Sequence, residues 1–450
     1  MYVNSVMDVI NLMNDDIYFP GFFLLESTMD FEKITSLDNL SGEDRGTFLH
    51  EYVHYLQDVT LPCKLYEFNQ NCNLLSAMIE WLQKNKKESK GISLAIGDMF
   101  ENNEKTEKGK EVNIKTMILD TILGDYYEDR VVYLQDVSDP CVESLIDDMV
   151  KEYCISQRIA DRYKKYVEIK YDNKSYVFGS RCITESMAYL IECEVYGARK
   201  RSDELPYNAC ELVCEKIYPK YAQNKKMIIA LCELSLHWPY AGYIFCEILK
   251  KMKEKKFLPC NSSELYNFVR NYPILLRYFA EEGKELVSNA IRFIDFLFPA
   301  KNSHEYIMRT NEHFKSIILL GWKKRLMNPF LISNIAFQFD TMQSEFYYSK
   351  LIEWFSMPLI RDKNGILRNL VGIDYVFPIL AMKALADIFY GKRYNQRVAL
   401  SKYKCYCFEI CQQHHQERFD EKICRETPWK QAELENNFCL FAYYWKYFQL

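Results

Sequence analysis

Apolar side chains recur at intervals of three and four positions over most of the chain, which is the spacing of an amphipathic helix. One helix is expected over residues 64–87. Its apolar positions are Leu65, Phe68, Leu74, Leu75, Met78 and Leu82. Another helix is expected over residues 42–58, and it would end before Pro62. From Ser180 onward the pattern stays mainly helical, with breaks near the prolines.

Two segments show patterns that are typical of strands. Residues 18–26, YFPGFFLLE, are apolar and rich in aromatics, which predicts a strand. Residues 166–179 alternate polar and apolar positions around Asp-Asn-Lys, which predicts a β-hairpin. A helix should then begin near Ser180 and stop at Gly197. The whole pattern predicts a mainly α fold of the α+β class, with a small β-sheet or hairpins and a helical C-terminal region.

A charged segment interrupts the helical pattern at residues 84–115. It holds the runs KNKKESK and NNEKTEKGKE around the small apolar island ISLAIG. Such composition is typical of a solvated surface loop, and a functional lid is the alternative. We predict one region over residues 1–250, carrying this insertion, and a second region over residues 251–450 that is helical and of unknown role.

Composition supports a helical chain and excludes some partners. Hydrophobic residues make up 49% and aromatics 15% of the 450 residues, whereas Gly and Pro number only 15 and 13. The formal net charge of −5 offers no basic field for a phosphate backbone, so we expect no nucleic-acid partner. No apolar run reaches the roughly 18 residues that a membrane span needs, so we expect no membrane association.

The first residues and the cysteines bear on the cellular compartment. The opening MYVNSVMDVINLMNDD lacks the basic head and apolar run of a secretory signal. Sixteen cysteines in a chain of this size are then better explained as reduced thiols than as a disulfide scaffold. We therefore expect a cytoplasmic protein.

The stretch FLHEYVHYLQD, residues 48–58, carries the candidate chemistry. His50 and His54 are four positions apart, so on a helix both imidazoles lie on one face and can hold one zinc ion. Glu51 follows the first histidine, where its carboxylate can take a proton from a water molecule attacking a carbonyl group. The plain alternative is a helix with two solvent-facing histidines and a chance glutamate.

This stretch resembles the defining helix of the zincin metallopeptidases, which carries the pattern H-E-x-x-H. The resemblance covers residues 47–58 strongly and the rest of the chain hardly at all. It implies a zincin-like catalytic core within residues 1–250, bound Zn²⁺, and hydrolysis of a peptide bond with Glu51 as the general base. It also implies that an upstream strand, here residues 18–26, pairs with the substrate backbone.

The third zinc ligand must come from elsewhere in the chain. The metzincin pattern is excluded, because Gln57 replaces its glycine and Leu61 stands where its third histidine would be. A gluzincin-like ligand is a glutamate from a later helix, and Glu185 is preferred because small Ala188 follows it and permits close helix packing. Glu192 and Glu194 are the alternative ligands. As a purely structural residue, Glu185 would be a charge favoured by a helix N-terminus.

This chain departs at one position from the pattern that many gluzincins share. They carry an Asp four residues after the ligand, but this chain has Tyr189 there. We therefore expect Glu192 or Asp58 to orient a histidine instead. For the oxyanion of the transition state we expect a donor from the later chain, with His237 first and Tyr240 and Tyr243 beside it.

Six residues near the C-terminus form a further group of possible metal ligands. The residues are Cys405, Cys407, Cys411, His414, His415 and Cys424. Their spacing fits no known pair of zinc knuckles, so packed thiols on a helix are the preferred interpretation and a second metal the alternative. The final FCLFAYYWKYFQL is expected to be a helix docked in the core, with partner binding as the alternative.

The sequence therefore predicts a zinc metallopeptidase that is selective for a protein or peptide substrate. Two other functions stay open. One is a zinc hydrolase of a non-peptide amide or ester, since metal and base serve any polarised carbonyl. The other is a scaffold protein with a vestigial H-E-x-x-H site. A protein partner could bind through the C-terminal helical region.

Overall fold

The structure is a computed structural model that describes part of the chain. The described ranges are residues 42–85, 167–171, 174–197, 205–238, 240–272, 283–299, 305–361 and 439–449, with short pieces at 17–19, 24–26, 127–128, 367–368, 378, 381–382 and 421–426. The helices are α1 Gly42–Thr60, α2 Pro62–Asn85, α3 Ser180–Tyr196, α4 Ala209–Ile217, α5 Pro219–Ala222, α6 Lys225–Ser235, α7 Ala241–Glu254, α8 Ser262–Arg270, α9 Gly283–Leu297, α10 Glu305–Met327, α11 Thr341–Phe355, α12 Glu421–Glu426 and α13 Leu440–Tyr447, with a 3₁₀ turn at Ser333–Ile335.

Extended segments are few and short. They are β1 Ile17–Phe19, β2 Leu24–Glu26, β3 Tyr127–Glu128, β4 Glu168–Tyr171, β5 Lys174–Val177, β6 Leu359–Arg361 and β7 Leu367–Arg368. Strand β2 pairs antiparallel with β1 and parallel with β6, and β5 pairs antiparallel with both β3 and β4. Residues 18–26 therefore divide into parts of two strands. Residues 166–179 form the expected pair, with Tyr171 opposite Lys174.

The predicted α+β class with a β-sheet in the catalytic core is wrong. Helices account for most of the described residues, and the architecture is all-α. The physical reason is length, because strand pairs of two to four residues offer too little apolar face to form a core. The apolar surface is instead buried where helices pack against helices.

Helix α1 lies at the centre of this packing. Its middle turns are buried around the whole circumference, as the exposures of four consecutive residues show: 0% for Leu49, 2% for His50, 6% for Glu51 and 0% for Tyr52. A polar residue on a buried part of a helix has no access to solvent, so it needs a partner inside the protein. Helix α3 packs along α1, and α2 and α10 also contact it.

Two glycines set how closely other helices approach α1. A Cβ at Gly46 would lie 3.2 Å from Glu192 Oε1 on α3. A Cβ at Gly321 on α10 would lie 2.2 Å from the carbonyl oxygen of Val59, which is shorter than any tolerated contact. The two crossings therefore depend on these glycines, and the one at Gly321 has less room to adjust.

Hydrogen bonds fix α1 against the end of α11. Tyr52 Oη donates to the carbonyl of Ser356 at 3.1 Å, and Tyr55 Oη donates to the carbonyl of Phe355 at 2.6 Å. Both hydroxyls belong to rings that are almost fully buried. These bonds satisfy the polar tips of two core aromatics and hold α1 at a fixed rotation.

Several other predictions from the sequence can be compared directly. The helix expected over 64–87 is α2, and the one expected from Ser180 is α3, ending at Gly197 with φ of 91°. The final segment is docked, with Phe441, Tyr444 and Trp445 buried. The charged residues 86–115 and most of the group Cys405–Cys424 lie outside the described residues, and the division near residue 250 stays a prediction. Among the helices described, none is both long and apolar enough to cross a membrane.

Candidate metal centre

Helices α1 and α3 bring together the three predicted ligands His50, His54 and Glu185. The Nε2 atoms of the two histidines are 3.2 Å apart. Glu185 Oε2 lies 3.4 Å from His50 Nε2 and 3.3 Å from His54 Nε2. Within the described chain this is the group whose donor atoms are close enough to hold one metal ion.

The spacing of these three atoms fits a zinc ion. Tetrahedral zinc with nitrogen and oxygen ligands at about 2.0–2.1 Å keeps each pair of ligand atoms about 3.3 Å apart. The three observed separations are 3.4, 3.3 and 3.2 Å. They exceed the usual length of about 2.9 Å for a direct hydrogen bond between nitrogen and oxygen. Two imidazoles and one carboxylate are also a known catalytic zinc ligand set, which leaves one position for water.

Each ligand histidine uses its other ring nitrogen to contact an acceptor. His54 Nδ1 lies 2.9 Å from Gln57 Oε1, and His50 Nδ1 lies 3.3 Å from Glu192 Oε2. Such contacts fix the ring orientation and place the proton on Nδ1, so that Nε2 is available as a ligand. Glu192 therefore takes the orienting position that the sequence left open between Glu192 and Asp58.

The charges around the three ligand atoms are unbalanced without a cation. When both rings are neutral and protonated on Nδ1, two nitrogen lone pairs and one carboxylate oxygen converge on the same point. Burial acts to raise the pKa of the Glu185 carboxyl. Without a metal the balance comes from protonation instead: a positive charge on His54, and hydrogen bonds that protonated His50 and His54 donate, outweigh burial and hold that pKa well below its ordinary value. A divalent cation would relieve this convergence of electron-rich atoms.

The remaining carboxylates near the motif take different positions. Glu192 is fully buried, and its carboxylate faces the Nδ1 side of His50. Glu194 does not belong to the described group of converging donor atoms. Glu51 is only 6% exposed and follows His50 directly on α1. Its burial beside a ligand suits a base that works away from bulk water.

His237 lies in a different cluster. It follows the end of α6, is 1% exposed, and contacts the ring of Trp238. Burial, together with the nearby charge of Arg325, lowers the pKa of His237 well below its ordinary value. Arg325 bonds to Thr60 at the C-terminal end of α1, whereas the ligands lie further back along that helix. The structure thus does not bring His237 to the three ligands, and we do not retain it as the oxyanion donor.

Tyr207 is a residue near the ligands that sequence reasoning missed. Its ring lies edge-on to the ring of His50, with centroids 6.0 Å apart. The ring of Tyr189, which stands where many gluzincins have an Asp, lies 5.7 Å from that of Tyr207. Tyr189 could have been placed from its spacing of four to Glu185. Tyr207 could not, because its position depends on how α4 returns towards α3.

Comparison with other proteins adds no further identification. No protein-family model, curated protein or solved structure matches this chain.

Proposed function

We propose that the chain is a zincin-type metallopeptidase that binds one Zn²⁺ through His50, His54 and Glu185. The observation that carries the proposal is the spacing of 3.2–3.4 Å between each pair of ligand atoms. The contacts at Nδ1 of both histidines support it, because they orient the ligands without taking up the Nε2 atoms. Zinc at this position would supply a Lewis acid that polarises a carbonyl group and lowers the pKa of water.

Glu51 supplies the proton transfer in this proposal. Its carboxylate takes one proton from the attacking water, whose oxygen forms a bond to the carbonyl carbon of the substrate. When the C–N bond breaks, Glu51 returns that proton to the departing amine. The burial of Glu51 supports this role, since little bulk water competes for the proton.

Tyr207 is the proposed donor to the oxyanion. Its ring already contacts His50, and a phenol can donate a hydrogen bond to charge that develops on the carbonyl oxygen. Replacing Tyr207 by Phe should lower turnover by about 10²-fold while zinc content stays unchanged. Steady-state kinetics together with metal analysis would check this, and an unchanged kcat would remove Tyr207 from the reaction.

A peptide is the proposed substrate because of strand β1. This strand pairs with β2 on one side and lies against α1. Among the described residues no strand pairs with its other side, so an extended peptide could add there by backbone hydrogen bonds. A small amide would gain nothing from such an edge. We also propose a cytoplasmic location, which is supported by the buried thiols Cys210, Cys214 and Cys232 in the core.

The experiment that tests this function compares the wild type with Glu51→Gln. Both forms are expressed in cells, and new protein N-termini are mapped by mass spectrometry. We expect the variant to keep its fold and its zinc but to lose about 10²–10⁴-fold in cleavage rate. Glu194→Gln is the matched control, because it removes a carboxylate of α3 outside the ligand group. Equal cleavage by the Glu51→Gln protein would refute the proposed mechanism.

A further inference from the structure

We propose that Gln57 is a positioning residue of this metal centre, acting on His54 and on the helix that carries Glu185. The inference rests on the proposed zinc site. It concerns a residue that the sequence analysis used only to exclude the metzincin pattern. Gln57 is fully buried on α1, three positions after His54. It therefore needs partners for both ends of its amide.

The amide of Gln57 joins the two helices that supply the ligands. Its Oε1 lies 2.9 Å from His54 Nδ1, and its Nε2 donates to the backbone carbonyl of Thr184 at 3.2 Å. Thr184 immediately precedes Glu185 on α3. One side chain thus connects the second ligand to the backbone beside the third ligand.

The direction of these hydrogen bonds fixes the proton of His54. A backbone carbonyl can only accept, so the amide NH₂ of Gln57 must face Thr184. Its oxygen then faces His54, and this oxygen can only accept as well. His54 must therefore carry a proton on Nδ1, and in the neutral ring the lone pair of Nε2 then points to Glu185 and His50. A chain of fixed donors and acceptors thereby sets the metal-binding tautomer.

Gln57 and Glu192 perform this orientation in different ways. Glu192 brings a negative charge to His50 Nδ1 at 3.3 Å. Gln57 orients His54 without adding charge, and it also holds the spacing between α1 and α3. Its loss should therefore affect two ligands at once, the tautomer of His54 and the position of Glu185.

Zinc affinity of the metal-stripped protein tests the proposal without any substrate. Competition with a chromophoric chelator gives the dissociation constant of wild type, Gln57→Met and Gln57→Glu. Gln57→Met keeps the length but neither hydrogen bond, and we expect zinc binding about 10–100-fold weaker. Gln57→Glu keeps an acceptor for His54 and should lose less than Gln57→Met. Equal affinity of Gln57→Met and wild type would overturn the proposal and leave the zinc site itself intact.

Tyr55→Phe is the matched control for general destabilisation. It removes one buried hydrogen bond from the same helix, that to the carbonyl of Phe355 at 2.6 Å. We expect it to lower the free energy of unfolding but to leave the zinc dissociation constant unchanged. If Tyr55→Phe weakens zinc binding as much as Gln57→Met, the effect of Gln57 is not specific and the proposal fails.

A measurement on the wild type alone gives an independent answer if Gln57→Met does not fold. Long-range ¹H–¹⁵N spectra of histidine-labelled, metal-free protein distinguish the two tautomers among only seven histidines. We expect His54 to carry its proton on Nδ1. A neutral His54 ring with its proton on Nε2 alone would overturn the proposal. A wild type that binds no zinc under any condition would instead refute the proposed function, and this inference with it.

Discussion

Two polar clusters lie at different positions along the buried helix α1, and they differ in how their charges are balanced. Near its C-terminal end, Arg325 and Glu233 form a fully buried ion pair. Glu233 also accepts from the backbone amides of Ile332 and Ser333, at 2.8 and 2.7 Å. Arg325 donates to Thr60 Oγ1 at 2.6 Å, which places a positive group at the C-terminal end of α1.

The proposed metal centre lacks such an internal balance. His50, His54 and Glu185 present three electron-rich atoms to one another, and the contacts at Nδ1 keep the ring protons on the far side. The charges of the first cluster are balanced by protein groups alone, whereas the proposed zinc ion would balance those of the second. A buried polar cluster therefore indicates function when its charges and lone pairs remain uncompensated, rather than by its burial alone.

Breaking the ion pair between Arg325 and Glu233 should have the largest effect. Arg325→Met leaves the Glu233 carboxylate buried without its cation, so we expect a loss of about 3–5 kcal/mol in the free energy of unfolding. Urea denaturation would measure this loss. A change below about 1 kcal/mol would show that the pair is not the structural anchor described here.

Zinc should stabilise the wild type, which has all three proposed ligands, but not a variant that lacks one of them. At about one hundred times its dissociation constant, zinc should raise the free energy of unfolding of the metal-free wild type by about 2.7 kcal/mol. His54→Ala should show no such rise at the same zinc concentration. Thermal unfolding with and without zinc measures both, and an equal rise in the two proteins would place the metal elsewhere.

Two glycines at helix crossings sharpen the comparison: Gly46, where α3 packs on α1, and Gly321, where α10 packs on α1. At Gly321 an added Cβ meets the backbone of Val59 at 2.2 Å, so Gly321→Ala should cost about 1–3 kcal/mol. At Gly46 it meets the end of the Glu192 side chain at 3.2 Å, which can move. Gly46→Ala should cost less in stability but should weaken zinc binding, because Glu192 orients His50. Equal losses of stability in the two variants, with the zinc affinity of Gly46→Ala unchanged, would contradict this.

The smallest expected effect is the pH dependence of stability that comes from His237, which lies near Arg325. The pKa of His237 is lowered in the folded chain, so the unfolded chain takes up the proton first as pH falls below about 6.5. Stability contributed by neutral His237 is thus present above that pH and is lost as pH falls towards the lowered pKa. His237→Gln cannot take up this proton, so its stability should fall less between pH 7 and pH 5. Parallel pH profiles from urea unfolding of the two proteins would refute the assignment.

Local periodicity was enough to predict part of the site. The spacing of His50 and His54 fixes both rings on one helix face, whatever the rest of the fold. Glu185 was preferred because it begins an amphipathic helix and small Ala188 follows. Helix α3 does pack along α1 and brings Glu185 to both histidines.

Tertiary contacts decided what the sequence could not. Glu192 was weighed as a ligand or as an orienting residue, and only the packing of α3 at Gly46 places its carboxylate behind His50. His237 had the right chemical type, but its partner Arg325 comes from a helix about ninety residues later. The β-sheet core was expected from alternating patterns that extend over too few residues to form one.

The most direct test of the central claim is the coordination of zinc in the loaded protein. We predict one zinc per chain, with X-ray absorption showing two imidazole nitrogens and oxygen ligands at about 2.0–2.1 Å. His54→Ala should lose this signal. A wild type that takes up no stoichiometric zinc, or a spectrum without imidazole scattering, would contradict the account.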